Sequence, residues 1–155
     1  MPGESIMSYE EAPLVNWSTY ADARATMGSD FVRILGYFRE DGVKSVDAIE
    51  TAMRERSAAR LVLPAHTLKS EAHQFGAERL GLLSEKIEMV ARHCVETHVE
   101  PDELLEDVVS LRDMFLGSLA LLEKEANPLV ERRSFGRRPL APAGGLSAPR
   151  NFGRA

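Results

Sequence analysis

The stretch that decides the fold is Pro64 to Glu88, PAHTLKSEAHQFGAERLGLLSEKIE. Leu61, Ala65, Leu68, Ala72 and Phe75 are spaced four, three, four and three residues apart. That spacing puts them on one face of a helix predicted over 58–75. Pro64 falls in its first turns, where a missing amide is tolerated more easily than at mid-helix. On a wheel with Leu68 at zero, the other four apolar residues lie within about 60°, His66 at ~160°, Lys69 at ~100°, Ser70 at ~200° and His73 at ~140°. The polar four form one strip opposite the core, so His66 is expected on a wet face. Gly76 then interrupts the chain. A second helix over 77–97 is expected to turn Leu80, Leu83, Ile87, Val90 and Cys94 inward.

Working outward, the same period appears on both sides. Residues 17–27, WSTYADARATM, fit a short helix stopped by Gly28, with Ser29 as the N-cap of the next. Phe31, Ile34, Leu35, Phe38, Ile49, Ala52 and Met53 share a face if one helix runs unbroken from about 29 to 57. Gly42 and Ser45 fill the in-phase positions between, leaving the middle thinly packed and costing about 1 kcal/mol at Gly42 relative to alanine. Pro101 opens a last helix, with Asp102 and Glu103 in its first turn and a stripe of Leu104, Val108, Leu111, Phe115, Leu119 and Leu122. Asn127 and Pro128 end it. No strand signal appears. The reading is all-α: an antiparallel four-helix bundle with a short N-terminal helix. It assigns 1–15 to a loose lead, 16–128 to the bundle, and 129–155 to a disordered tail rich in Arg, Pro and Gly.

Composition narrows the function classes. The net charge of −5 divides into +5 over 131–155 and −10 over the remainder. An acidic body argues against nucleic acid as the main partner. The arginines of the tail are scattered, with Phe135 and Phe152 its only aromatics, so a solvated tail is preferred to a nucleic-acid arm. One cysteine, Cys94, excludes an intrachain disulfide and argues against a cysteine zinc site. His66 and His73 lie ~10.5 Å apart along a helix axis, too far for one ion, and His93 and His98 point ~140° apart, so no metal site is expected. No signal peptide or apolar run of ~18 residues is visible, which places the chain in the cytoplasm without a membrane span.

The segment HTLKSEAHQFGA resembles the signature of histidine phosphotransfer (HPt) domains. His66, Leu68, Lys69, Phe75 and Gly76 stand where that family has its histidine, an aliphatic residue, lysine, an aliphatic or aromatic residue and glycine. Ser70 stands where glycine is usual, and Glu71 where a small residue is usual. Serine is still small, and its hydroxyl can donate to a phosphoryl oxygen. Glu71 lies near −60° on the wheel, away from His66. Glu88 follows His66 by 22 residues, an offset at which the family often carries Gln or Glu bound to the active imidazole. Gly81 and Ser84 share the flank of Glu88 and would let two helices approach closely.

The resemblance implies a four-helix bundle over about 17–126 and a phosphorelay intermediate. His66 would be the phosphoacceptor, Lys69 would stabilise the phosphoryl oxygens, and Glu88 would accept from Nδ1–H and orient the imidazole. Receiver docking would use Ser70, His73, Gln74, Gly76 and Arg79. The chain shows no Walker-type loop and no kinase glycine loop, so it is expected to carry phosphate without its own ATP site or cofactor. Mg²⁺ and the acceptor aspartate would come from a response regulator receiver domain, with a hybrid histidine kinase as a further partner. A monomer suffices for one phosphosite. The competing reading is a helical adaptor that docks a receiver or histidine kinase without taking phosphate.

Overall fold

A computed structural model describes residues 8–127. The chain divides into two compact units, Met1–Leu122 and Glu123–Ala155, and the bundle is described for the first. Among the described residues the α-helices are α1 (Trp17–Met27), α2 (Phe31–Arg54), α3 (Ala58–Phe75), α4 (Glu78–Thr97) and α5 (Leu105–Ala126). The last four form an antiparallel four-helix bundle, and α1 is the short N-terminal helix. The tail assigned to 129–155 and the first seven residues of the lead lie outside the described residues.

The joins follow from local chemistry. Asn16 caps α1 by accepting from the amides of Ser18 and Thr19 at 3.1 and 3.2 Å. Gly28 ends it at φ 57°, in the half of φ space that favours glycine. The chain then enters a 3₁₀ turn, Gly28–Asp30, that feeds straight into α2. Ser29 is therefore not the N-cap: the residue before α2 is Asp30, at φ −86° and ψ −5° rather than extended, and no side chain caps the helix. Ser57 caps α3, its Oγ accepting from the Arg60 amide at 3.2 Å. Pro64 is the seventh residue of α3, so the Arg60 carbonyl has no amide above it, yet the helix continues to Phe75.

α2 runs unbroken through Gly42, and the thin middle expected there is filled from outside. A Cβ on Gly42 would lie 2.2 Å from Cε1 of Phe115, so the gap is the seat of that α5 ring. Phe115 meets Phe38 edge-on at 5.7 Å, Phe38 stacks on Phe75 at 5.3 Å, and Phe75 meets Phe31 at 5.7 Å. Tyr20 of α1 extends the chain of rings onto Phe31 at 5.3 Å. Contacts of this kind add about 0.5–1.5 kcal/mol each beyond burial. The stripes expected on α3 and α5 are buried throughout. In α2, Ile34 is only half-buried and Val46 is buried in addition. In α4, Ala91 takes the inward place expected of Val90, because the helix is turned to bring Glu88 inside.

Residues 8–15, read as loose, are tied to the bundle. A 3₁₀ turn, Tyr9–Glu11, packs on α4. Tyr9 donates to Asp107 Oδ1 at 3.0 Å, and Arg79 Nε donates to the Ala12 carbonyl at 2.8 Å. Asn16 Nδ2 reaches Glu78 Oε1 at 3.0 Å, and the Asn16 amide donates to the Gly76 carbonyl at 2.7 Å. Ala12 and Val15 are buried beneath this strap.

Candidate functional site

The site grows from the antiparallel packing of α3 on α4. His66 of α3 lies beside Glu88 of α4. Seven residues on along α3 and seven back along α4, the His73 ring lies over Gly81, where a Cβ would sit 2.5 Å from its Cε1. Between these two levels Ser84 is fully buried. The small side chains of Gly81 and Ser84 thus let the helices approach closely enough for a short carboxylate to touch an imidazole.

Glu88 is the hub. Its side chain is only 6% exposed, while His66 is 49% exposed. His66 Nδ1 lies 3.0 Å from Oε2. Arg92, one turn further along α4, gives the same oxygen two more bonds, from Nε at 3.0 Å and Nη2 at 2.8 Å. Lys69 Nζ lies 2.9 Å from Oε1, which has no aligned hydrogen-bond donor and is matched there by charge. Burial alone would push the Glu88 carboxyl up. The close contacts from Lys69, Arg92 and His66 outweigh burial and hold it down to about 2. A carboxylate only accepts, so a neutral His66 must carry its proton on Nδ1. The Nε2 lone pair is left on the far edge of a half-exposed ring.

The other residues singled out in the sequence divide. Lys69 is at the site with its ammonium beside Glu88, and its N–H groups can still reach a second acceptor. Ser70, His73 and Gln74 are exposed along the same strip. Gly76 is not part of an accessible surface. It is buried as the C-cap of α3 at φ 87°, and a Cβ there would lie 2.7 Å from the Asn16 carbonyl oxygen. Its glycine is required by the helix end and by the chain crossing it. Arg79 is half-buried, with Nε spent on the Ala12 carbonyl. Glu71 faces α2, where burial first and then Asp41 raise its carboxyl to about 7. Its charge is turned away from His66.

Three residues escaped the sequence reading. Arg92 carried a signal, since it stands four residues after Glu88, the spacing of a helical ion pair. Leu63 and Met89 are apolar residues left 71% and 60% exposed, one turn before His66 and one residue after Glu88. Their signal was an apolar side chain on a polar strip. Among the described residues no group of three or more His, Cys, Asp or Glu side chains is placed to hold a metal ion. Among the same residues no helix is long and apolar enough to cross a membrane.

Comparison with known proteins adds the family. The model of the Hpt domain matches residues 33–123, more than half of the chain and all of the α3–α4 pair. Searches of curated proteins and of solved structures returned no match. A half-exposed histidine on a four-helix bundle, within the matched span, is what the family reading requires of this fold, and the chain belongs to the Hpt domain family, whose members are phosphocarriers of two-component systems.

Proposed function

We propose that the chain is a phosphorelay intermediate that accepts a phosphoryl group on His66 Nε2 and passes it to or from the aspartate of receiver domains. The observation that carries this reading is the 3.0 Å contact between Nδ1 of the half-exposed His66 and the buried Glu88 carboxylate. Neutral imidazole, with a reference pKa of ~6.5, is an available nucleophile near neutral pH. In the forward step Nε2 forms a bond to phosphorus while the bond from phosphorus to the aspartyl oxygen breaks. The aspartate leaves as a carboxylate. The positive charge that develops on the ring is held at Nδ1–H by Glu88. Lys69 offers its remaining N–H groups to the phosphoryl oxygens as charge shifts across them. Return of the group reverses each movement.

In this reading the chain contributes a docking surface and the nucleophile. The Mg²⁺ and the acidic pocket that neutralise the aspartyl phosphate belong, in this reading, to the receiver. Ser70, His73 and Gln74 form the polar part of the docking face, and Leu63 and Met89 its apolar part. A hybrid histidine kinase with a phosphorylated receiver is the expected donor. The test is transfer from a panel of phosphorylated receivers to wild type and His66→Gln. Wild type should take an acid-labile, base-stable label. His66→Gln should take none, a loss of at least about 100-fold, while its melting temperature holds because the ring is half-exposed. Equal labelling of both proteins would remove His66 from the reading. Binding without any label would leave an adaptor.

A further inference from the structure

A carboxylate placed beside a nucleophilic imidazole pulls in two directions. It fixes the proton on Nδ1 and so frees Nε2. Its negative charge also favours a second proton, which would occupy the very lone pair that attacks phosphorus. A neutral amide at this position would do the first without the second. This chain carries an acid there, Glu88, and surrounds it with two cations. Arg92 contributes two of the bonds on Oε2, the oxygen that faces His66 Nδ1. With Lys69 on Oε1, the charges nearest the ring sum to +1 rather than −1.

We infer that Arg92 is a positioning residue for His66: it anchors Glu88 through the oxygen that meets Nδ1, so that the carboxylate keeps the ring proton on Nδ1 and leaves Nε2 as the nucleophile. This rests on the carrier reading above but concerns a residue that reading does not use. The charged groups facing His66 are Lys69 on α3 and Glu88 and Arg92 on α4, with Glu85 one turn before Glu88. The Arg92 side chain is 56% exposed, so its effect is that of a half-exposed ion pair rather than a buried one.

The experiment reads the tautomer of the neutral His66 ring by long-range proton–nitrogen NMR on the full chain, with the signal assigned from its absence in His66→Gln. Wild type, Arg92→Gln, Arg92→Met and Arg92→Lys are compared, and an unchanged amide spectrum shows that each is folded. In Arg92→Gln the ratio of Nδ1–H to Nε2–H tautomer should fall about three-fold. Arg92→Met, which keeps the aliphatic stem, should move with it, and Arg92→Lys should stay near wild type. A ratio that does not fall in the uncharged variants would overturn the inference, as would a lysine variant that shifts as far as they do. The measurement needs no phosphodonor. Failure of the carrier reading would show in the transfer panel and failure of this inference only in the tautomer ratio.

Discussion

Two faces of the bundle use arginine and carboxylates in opposite arrangements. On the α3–α4 face one buried acid, Glu88, gathers Lys69, Arg92 and His66. On the α2–α5 face one base, Arg112, gathers two acids, giving Glu50 a paired contact at 3.1 and 2.8 Å and reaching Asp47 as well. The second is a clasp between helices. Its one cation is shared by two acids, so the group sums to −1, and its guanidinium is held well above the usual range first by the hydrogen bonds to Glu50. The first carries one cation in excess, and one of its partners is an imidazole half-exposed to solvent. Ion-pair geometry alone therefore does not mark a functional site. What sets the first face apart in the proposed reading is a buried acid that spends one oxygen on a half-exposed histidine.

The sharpest way to break this comparison is to remove each hub. Glu88→Ala should lower transfer to His66 by about ten-fold, the size of effect seen when an orienting partner of a histidine is lost. It should also flatten the acid limb of stability. The Glu88 carboxyl is depressed from an ordinary 4.5 to about 2 in the fold. Its contribution is therefore complete above about 4.5 and lost as pH falls toward about 2. Chemical denaturation at pH 7 and pH 3 should show a smaller drop for the variant than for wild type. An acid limb identical to wild type would mean that the contacts on Glu88 do not persist in solution.

Arg112→Ala should do the reverse. Transfer should be unchanged, and stability should fall by about 1 kcal/mol, the upper range for a partly exposed pair with bidentate geometry. Denaturant midpoints and a transfer time course check both halves. A transfer defect in Arg112→Ala with the fold intact would show that the two faces are coupled and that the contrast between them is false.

How much of this could be read from the sequence depended on whether the physics was local. The stripes of α3 and α5 were legible because every spacing within them is three or four residues. The unbroken α2 was legible from its phase. What fills the space at Gly42 was not, since Phe115 is far away in sequence and arrives only by packing. Gly76 was misread for the same reason. In one dimension it follows the His66 strip, while its left-handed turn and its contact with Asn16 belong to the crossing of α1. Ser29 failed because a 3₁₀ turn replaced the extended residue that a cap requires. At the site, the offset from His66 to Glu88 pointed to the pair, but Arg92 needed the knowledge that Glu88 faces inward. Once that acid is buried, a cation four residues on is its natural counter-charge.

The central claim is that Glu88 holds the Nδ1 proton and leaves Nε2 to take the phosphoryl group. The most direct test is to phosphorylate the wild-type chain carrying ¹⁵N-labelled histidine, using a receiver that serves as donor, and to locate the nitrogen–phosphorus bond by NMR. The account predicts phosphorus on Nε2 of His66 with Nδ1 still protonated. Phosphorus on Nδ1, or on another residue while His66 stays unmodified, would contradict it.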